Sequence, residues 1–167
     1  MKLAILILLL STASLLAGEP WPGVDYTEVR AFAWATTVHL PEGLLHEDMT
    51  FEDGVINKGG TLLNASQIKR LLAAQARRWK EPRVRLGCSY DPHNAFVFYS
   101  ANKKPVAYLE LCFDCFAHRT QPEDKECDPG FLALAHLCAE LKLPAARLSK
   151  PKEYEKMYRL FFHMNAK

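Results

Sequence analysis

Two runs of largely apolar residues flank a short polar break in the middle of the chain. Ala95-Phe96-Val97-Phe98-Tyr99 and Val106-Ala107-Tyr108-Leu109-Glu110-Leu111 are rich in β-branched and aromatic side chains, and Asn102-Lys103-Lys104-Pro105 between them carries turn chemistry. The pattern predicts a hairpin over about 93–113. Side chains alternate along a strand, so the faces argue for a register. With Ser100 opposite Pro105, Phe96, Phe98, Ala107, Leu109 and Leu111 share one apolar face. The other face is mixed: His93, Val97, Tyr99, Tyr108, Glu110 and Cys112, with His93 set against Cys112. A slip of one residue would bring Tyr108 and Glu110 beside Phe96 and Phe98, a poorer match.

The flanking patterns predict the rest of the fold. Residues 26–39 read as a strand, with Phe32, Trp34 and Val38 on one face and Ala31, Ala33 and Ala35 on the other. That small-residue face would let a helix approach closely. Residues 40–60 are turn-rich, with a short strand near Val55-Ile56. Asn64 stands as a helix cap with Gln67 at the capping-box position, opening an amphipathic helix to about Trp79 that lines up Ile68, Leu71 and Leu72. A short strand is expected over 83–86. The polar stretch 116–128, with Pro122, reads as a loop. Asp128-Pro129 then opens a helix to about Leu143 that shows Phe131, Leu134, Ala135, Cys138 and Leu141 on one face. A last helix, about 152–164, presents Tyr154, Met157, Tyr158 and Phe161 together. The expected class is α+β: a small antiparallel sheet of three to five strands with about three helices packed on one face.

At the start, Met1-Lys2 precedes an apolar run over 3–10 and then small residues, the pattern of a secretory signal peptide over 1–17. No cysteine follows that run to carry a lipid, and no later stretch has the roughly 20 apolar residues of a membrane span. The expectation is an exported protein, periplasmic or secreted, whose residues 18–167 form a single globular domain. The formal charge of +2 falls by one with the loss of Lys2. So nearly neutral a chain points neither to a nucleic-acid partner nor to a trap for acidic ligands.

Export changes the meaning of the five cysteines, because disulfides persist in oxidising compartments. The odd number leaves at least one outside an intrachain bond. Structural disulfides would draw on Cys88, Cys112, Cys115 and Cys127. Pairing Cys115 with Cys127 closes the polar loop, worth about 3 kcal/mol in the chain-entropy model, and Cys88 with Cys112 ties the Asp91-Pro92 turn to the hairpin. Cys138 would then be a buried, inert thiol. Alternatively, Cys112 and Cys115, a Cys-x-x-Cys pair, cycle between dithiol and disulfide with His93 tuning the thiolate. A thioredoxin arrangement is excluded by order, since residues 116–122 do not read as the helix that should follow the motif. Cys88, His93, Cys112 and Cys115 also suit zinc or Cu(I), though the second close-spaced pair of a zinc ribbon is missing. His46-Glu47-Asp48 is a weaker metal candidate.

The block CSYDPHNAFVFYSANKKPVAYLELCFDC, residues 88–115, resembles one in small exported bacterial proteins of unknown function. The shared features are a Cys, a Pro-His turn, a Phe-x-Phe-Tyr strand, a Lys-Pro-Val-Ala strand and a closing Cys-Phe-x-Cys, with weaker echoes in the helix from Asn64. Cys127 lies outside that pattern. The resemblance implies no activity and no cofactor.

A basic run includes Lys69, Arg70, Arg77 and Arg78, which could meet an anionic envelope surface or an acidic partner. No G-x-S-x-G or comparable signature marks a nucleophile. The favoured expectation is a disulfide-stabilised, non-enzymatic domain that binds a protein or envelope component. A thiol-disulfide protein and a Zn or Cu binder are the alternatives.

Overall fold

The computed structural model describes residues 20–37, 39–77, 89–145 and 151–164, with the side chains of all of these except 151 and 160–164. Its elements run β1 (Glu28–Ala33), β2 (Thr61–Leu62), α1 (Ala65–Gln75), β3 (Asn94–Tyr99), β4 (Pro105–Cys112), β5 (Ala117–Gln121), α2 (Phe131–Glu140) and α3 (Pro151–Met164). The strands form one five-stranded sheet in the order β2-β1-β3-β4-β5, antiparallel throughout. The class is α+β, as the hydrophobic pattern predicts. The signal segment, Val38, the strand expected over 83–86, and the predicted site residues Arg78 and Cys88 lie outside the described residues.

The central hairpin has the predicted register from Asn94 to Phe98, while Pro105 faces Tyr99 and not the expected Ser100. Phe96 faces Leu109 and Phe98 faces Ala107, and a bulge between Phe98 and Tyr99 then sets Tyr99 against Pro105. Strand alternation sorts side chains into two cores. On the helix side, Val29, Ala31 and Ala33 from β1 join Phe96, Phe98, Ala107, Leu109 and Leu111 beneath Leu71, Phe131, Leu134 and Tyr154. The alanine face of β1 is indeed where helices pack. Each large apolar side chain removed from water here contributes about 1.5–3 kcal/mol.

The opposite face is also covered. Phe32, Trp34, Ala95 and Val97 pack under Leu40, Leu44 and Leu45, with Phe51 and Val55 at the rim. The covering segment, residues 40–55, is an irregular strap held by isolated bridges, Leu45 to Phe51 and Trp34 to Val55.

Two predicted boundaries change for physical reasons. Residues 116–128 are not all loop, because Ala117–Gln121 pairs with β4 residue by residue. Its sequence, AHRTQ, is polar, as suits an edge strand that must not recruit other chains. Asp128-Pro129 does not open α2. The Asp128 amide donates to Arg77 O at 3.0 Å and the Gly130 amide to Ala74 O at 2.9 Å, so this segment caps the end of α1, and α2 begins at Phe131 without a side-chain cap. The Asn64–Gln67 capping box of α1 is present in both directions.

Helix α2 ends in a Schellman arrangement: Leu143 N donates to Cys138 O and Lys142 N to Ala139 O. Its left-handed position is taken by Lys142, at φ 58°, where a glycine avoids the Cβ penalty. Lys142 is exposed, so Lys142→Gly removes strain and little else. It is expected to raise stability by about 1 kcal/mol, read as a higher midpoint with unchanged slope in urea denaturation.

Candidate functional site

β4 turns Tyr108 and Glu110 toward the strap, so its one acid lies in the second core. Glu110 is fully buried. Its Oε1 accepts from the amides of both Leu44 and Leu45 at 2.8 Å, and its Oε2 accepts from the Tyr90 hydroxyl at 3.2 Å. Gly43 makes this approach geometrically feasible. It sits at φ +116°, and a Cβ there would stand 3.0 Å from Glu110 Oε2 and 3.0 Å from Arg119 Nη1. Across β4–β5, Arg119 pairs with Glu110, donates to the Glu42 carbonyl, and lays its guanidinium 4.5 Å over the Tyr90 ring.

Burial raises the Glu110 pKa; the Leu45 and Leu44 amides, Tyr90 and the Arg119 cation pull the other way without cancelling it. Tyr90 is pushed far up, first by burial and then by the Glu110 charge. Together these three side chains and the two amides pin the strap to the sheet. Sequence reasoning placed Glu110 on the mixed face and went no further. The usable signal was a lone carboxylate inside an otherwise apolar strand, which must find partners when buried.

One residue along from Glu110's neighbours lies the predicted cysteine corner. Asp91 holds the strap's other end: Oδ1 accepts from Leu40 N at 2.9 Å and Oδ2 lies 3.2 Å from His39 Nδ1. Burial works to raise the Asp91 pKa, but hydrogen bonds from Leu40 and His39 outweigh it and hold the carboxyl low. The Asp91 carbonyl lies 3.0 Å from His93 Nδ1. The β3–β4 ladder ends at Asn94–Leu111, and the His93 amide then donates to Leu111 O at 3.3 Å, one residue off the register that would set His93 opposite Cys112.

Cys112 is 1% exposed. Burial raises its thiol pKa, against hydrogen bonds from the backbone of Asp91 and of Cys115. Cys115 is disulfide-bonded, and its sulfur lies 3.0 Å from Ser89 O. No two cysteines among the described residues lie at disulfide distance.

Both expected disulfides therefore need correcting. Cys112, Cys127 and Cys138 are thiols, which rules out Cys88–Cys112 and Cys115–Cys127. The second fails because β5 lies between its ends. The strand carries the chain away from the Cys115 turn, and the Cys127 thiol donates instead to Gln75 O at 3.2 Å, against the end of α1. Cys138 is buried in the helix-side core, as expected, and burial pushes its pKa up to about 12.

Several of the remaining candidates are engaged within the fold. Arg70 pairs with Glu140 at 2.6 Å, Arg77 hydrogen-bonds Tyr158, and Lys69 is exposed on α1. In the strap, His46 meets Glu52 at 3.3 Å, and Asp48 accepts from Thr50 N and Oγ1. Among the described residues no three His, Cys, Asp or Glu side chains gather as a metal-ligand set.

The Glu110 geometry makes a signed prediction. A carboxyl whose folded pKa is raised adds stability below its unfolded value, about 4.3, and loses it as pH rises through the folded value. Glu110→Gln keeps one oxygen for the two amides and does not titrate. Wild type is expected to lose stability relative to this variant as pH climbs from about 4 to neutrality, in urea melts of both proteins across that range. A relative gain by wild type would mean that the amide bonds outweigh burial. Compared with family models, with curated proteins and with solved structures, the chain has no match, and its chemistry is read from these residues alone.

Proposed function

We propose that this chain is an exported, disulfide-carrying, non-enzymatic domain that binds a protein or a component of the cell envelope. Export follows from the leader pattern over 1–17 and agrees with a disulfide at Cys115. The buried polar side chains of the second face are engaged in holding the strap, which is the work of a scaffold.

The observation that carries the binding role is at one end of the sheet. Ile56 and Leu62 are each 55% exposed, and both are held against β1. Ile56 N donates to Ala33 O at 2.9 Å, and Leu62 pairs with Arg30. Two large apolar side chains fixed along one edge, beside the two-residue strand β2, offer rigid anchors for a partner. The basic face of α1 is a poorer candidate, because Arg70 and Arg77 are engaged within the fold.

The test places a photo-crosslinking residue at position 56 or 62, and in parallel at position 69, in cells that export the protein. A discrete adduct is expected from 56 and 62 and not from 69. In a chain crosslinked from position 62, Ile56→Asp is expected to lower the yield about tenfold, the loss of one interface anchor. Adducts from position 69 alone would move the interface to the basic helix face. Adducts from none of the three would remove the binding reading.

A further inference from the structure

We infer that the partner of the Ile56–Leu62 edge is a protein groove with apolar walls and a carboxylate at its floor, which grips the sheet edge from both faces. This rests on the binding reading above and adds the shape and charge of what binds. The register fixes the shape. Val55 bridges to Trp34 in the antiparallel sense and packs with it in the strap-side core. Alternation then turns Ile56 to the helix side, where Ala33 packs. Leu62 pairs with Arg30, an even number of residues from Trp34 along β1, and so lies on the strap side. The two anchors stand on opposite faces of one edge, about 10 Å apart along it. A flat surface meets one of them at a time, whereas a groove meets both.

The loop between the anchors is held firmly enough to be gripped. Asn57 fills the place of a missing strand residue: its Oδ1 accepts from Ala33 N at 2.9 Å and its Nδ2 donates to Ala31 O at 3.0 Å. Gly60 N donates to Asn57 O at 2.7 Å and closes the turn, and Arg30 Nη1 donates to Gly59 O at 2.6 Å. Gly60, at φ +64°, lies so close to Phe32 that a Cβ would stand 2.6 Å from the ring Cζ. Both anchors are thus fixed before a partner arrives, which spares part of the ordering cost of binding.

The charge comes from the tip of the loop. Lys58 is exposed and has no ion pair among the described residues. The charges of β1 are already used, since Arg30 pairs with Glu28 at 2.9 Å and Glu28 with Lys103 at 2.5 Å. Asp53, the nearest acid along the chain, stands past the Trp34–Val55 bridge. An ammonium set between two apolar anchors is complemented by a carboxylate set between two apolar walls.

The experiment places benzoylphenylalanine at position 56, and separately at position 62, in cells that export the protein. Adducts are identified by mass spectrometry. The expected result is one and the same protein from both positions. In the chain crosslinked from position 62, Lys58→Glu lowers the yield about tenfold and Lys58→Met lowers it less. Both variants are expected to keep the wild-type urea midpoint, because the Lys58 side chain bonds nothing in the fold. An adduct from one position only, different proteins from the two, or lipid alone would overturn the groove. A yield that Lys58→Glu leaves unchanged or raises would overturn the carboxylate. Adducts from neither position would remove the binding reading itself, and the groove with it.

Discussion

A single carboxylate closes the second face of this protein. Residues 40–55 have no regular secondary structure to satisfy their backbone, yet they cover Phe32, Trp34 and Val97. Glu110 resolves that conflict by accepting the Leu44 and Leu45 amides together, and these are the residues whose side chains do the covering. The arrangement has a cost, since ionised Glu110 sits in a poorly solvated place. Tyr90 and Arg119 reduce that cost, and Gly43 makes room for the carboxylate. Glu110 therefore links a local backbone need to the burial of the whole face.

The same geometry reaches the cysteine corner. Asp91 anchors the strap through Leu40 and orients His93 through its carbonyl. Cys112 lies beside them with its thiol pKa raised by burial. A thiol in this setting is shielded from solvent reagents.

Much of the frame was legible in the sequence. The β3–β4 register followed from matching apolar faces, the α1 start from Asn64 and Gln67, and the helix approach to β1 from Ala31 and Ala33. What escaped has a common cause: burial without periodicity. The strap buries Leu40, Leu44 and Leu45 between turn residues, so no period of two or 3.6 announces it. β5 is a polar edge strand, and β2 has only two residues. Missing β5 also misplaced the cysteines, because Cys115 and Cys127 look close only if residues 116–128 are loop. Glu110 was visible as an acid in an apolar strand, but the two amides it holds come from residues 66 and 65 positions away, beyond any local pattern.

Amide hydrogen exchange at Leu44 and Leu45 tests the role of Glu110 most directly. If the carboxylate holds the strap, both amides exchange as slowly as those of the β3–β4 ladder, although they lie in an irregular segment. Exchange as fast as at the exposed turn residue Asn102 would contradict the account, since the strap would then be covering the sheet without being fastened to it.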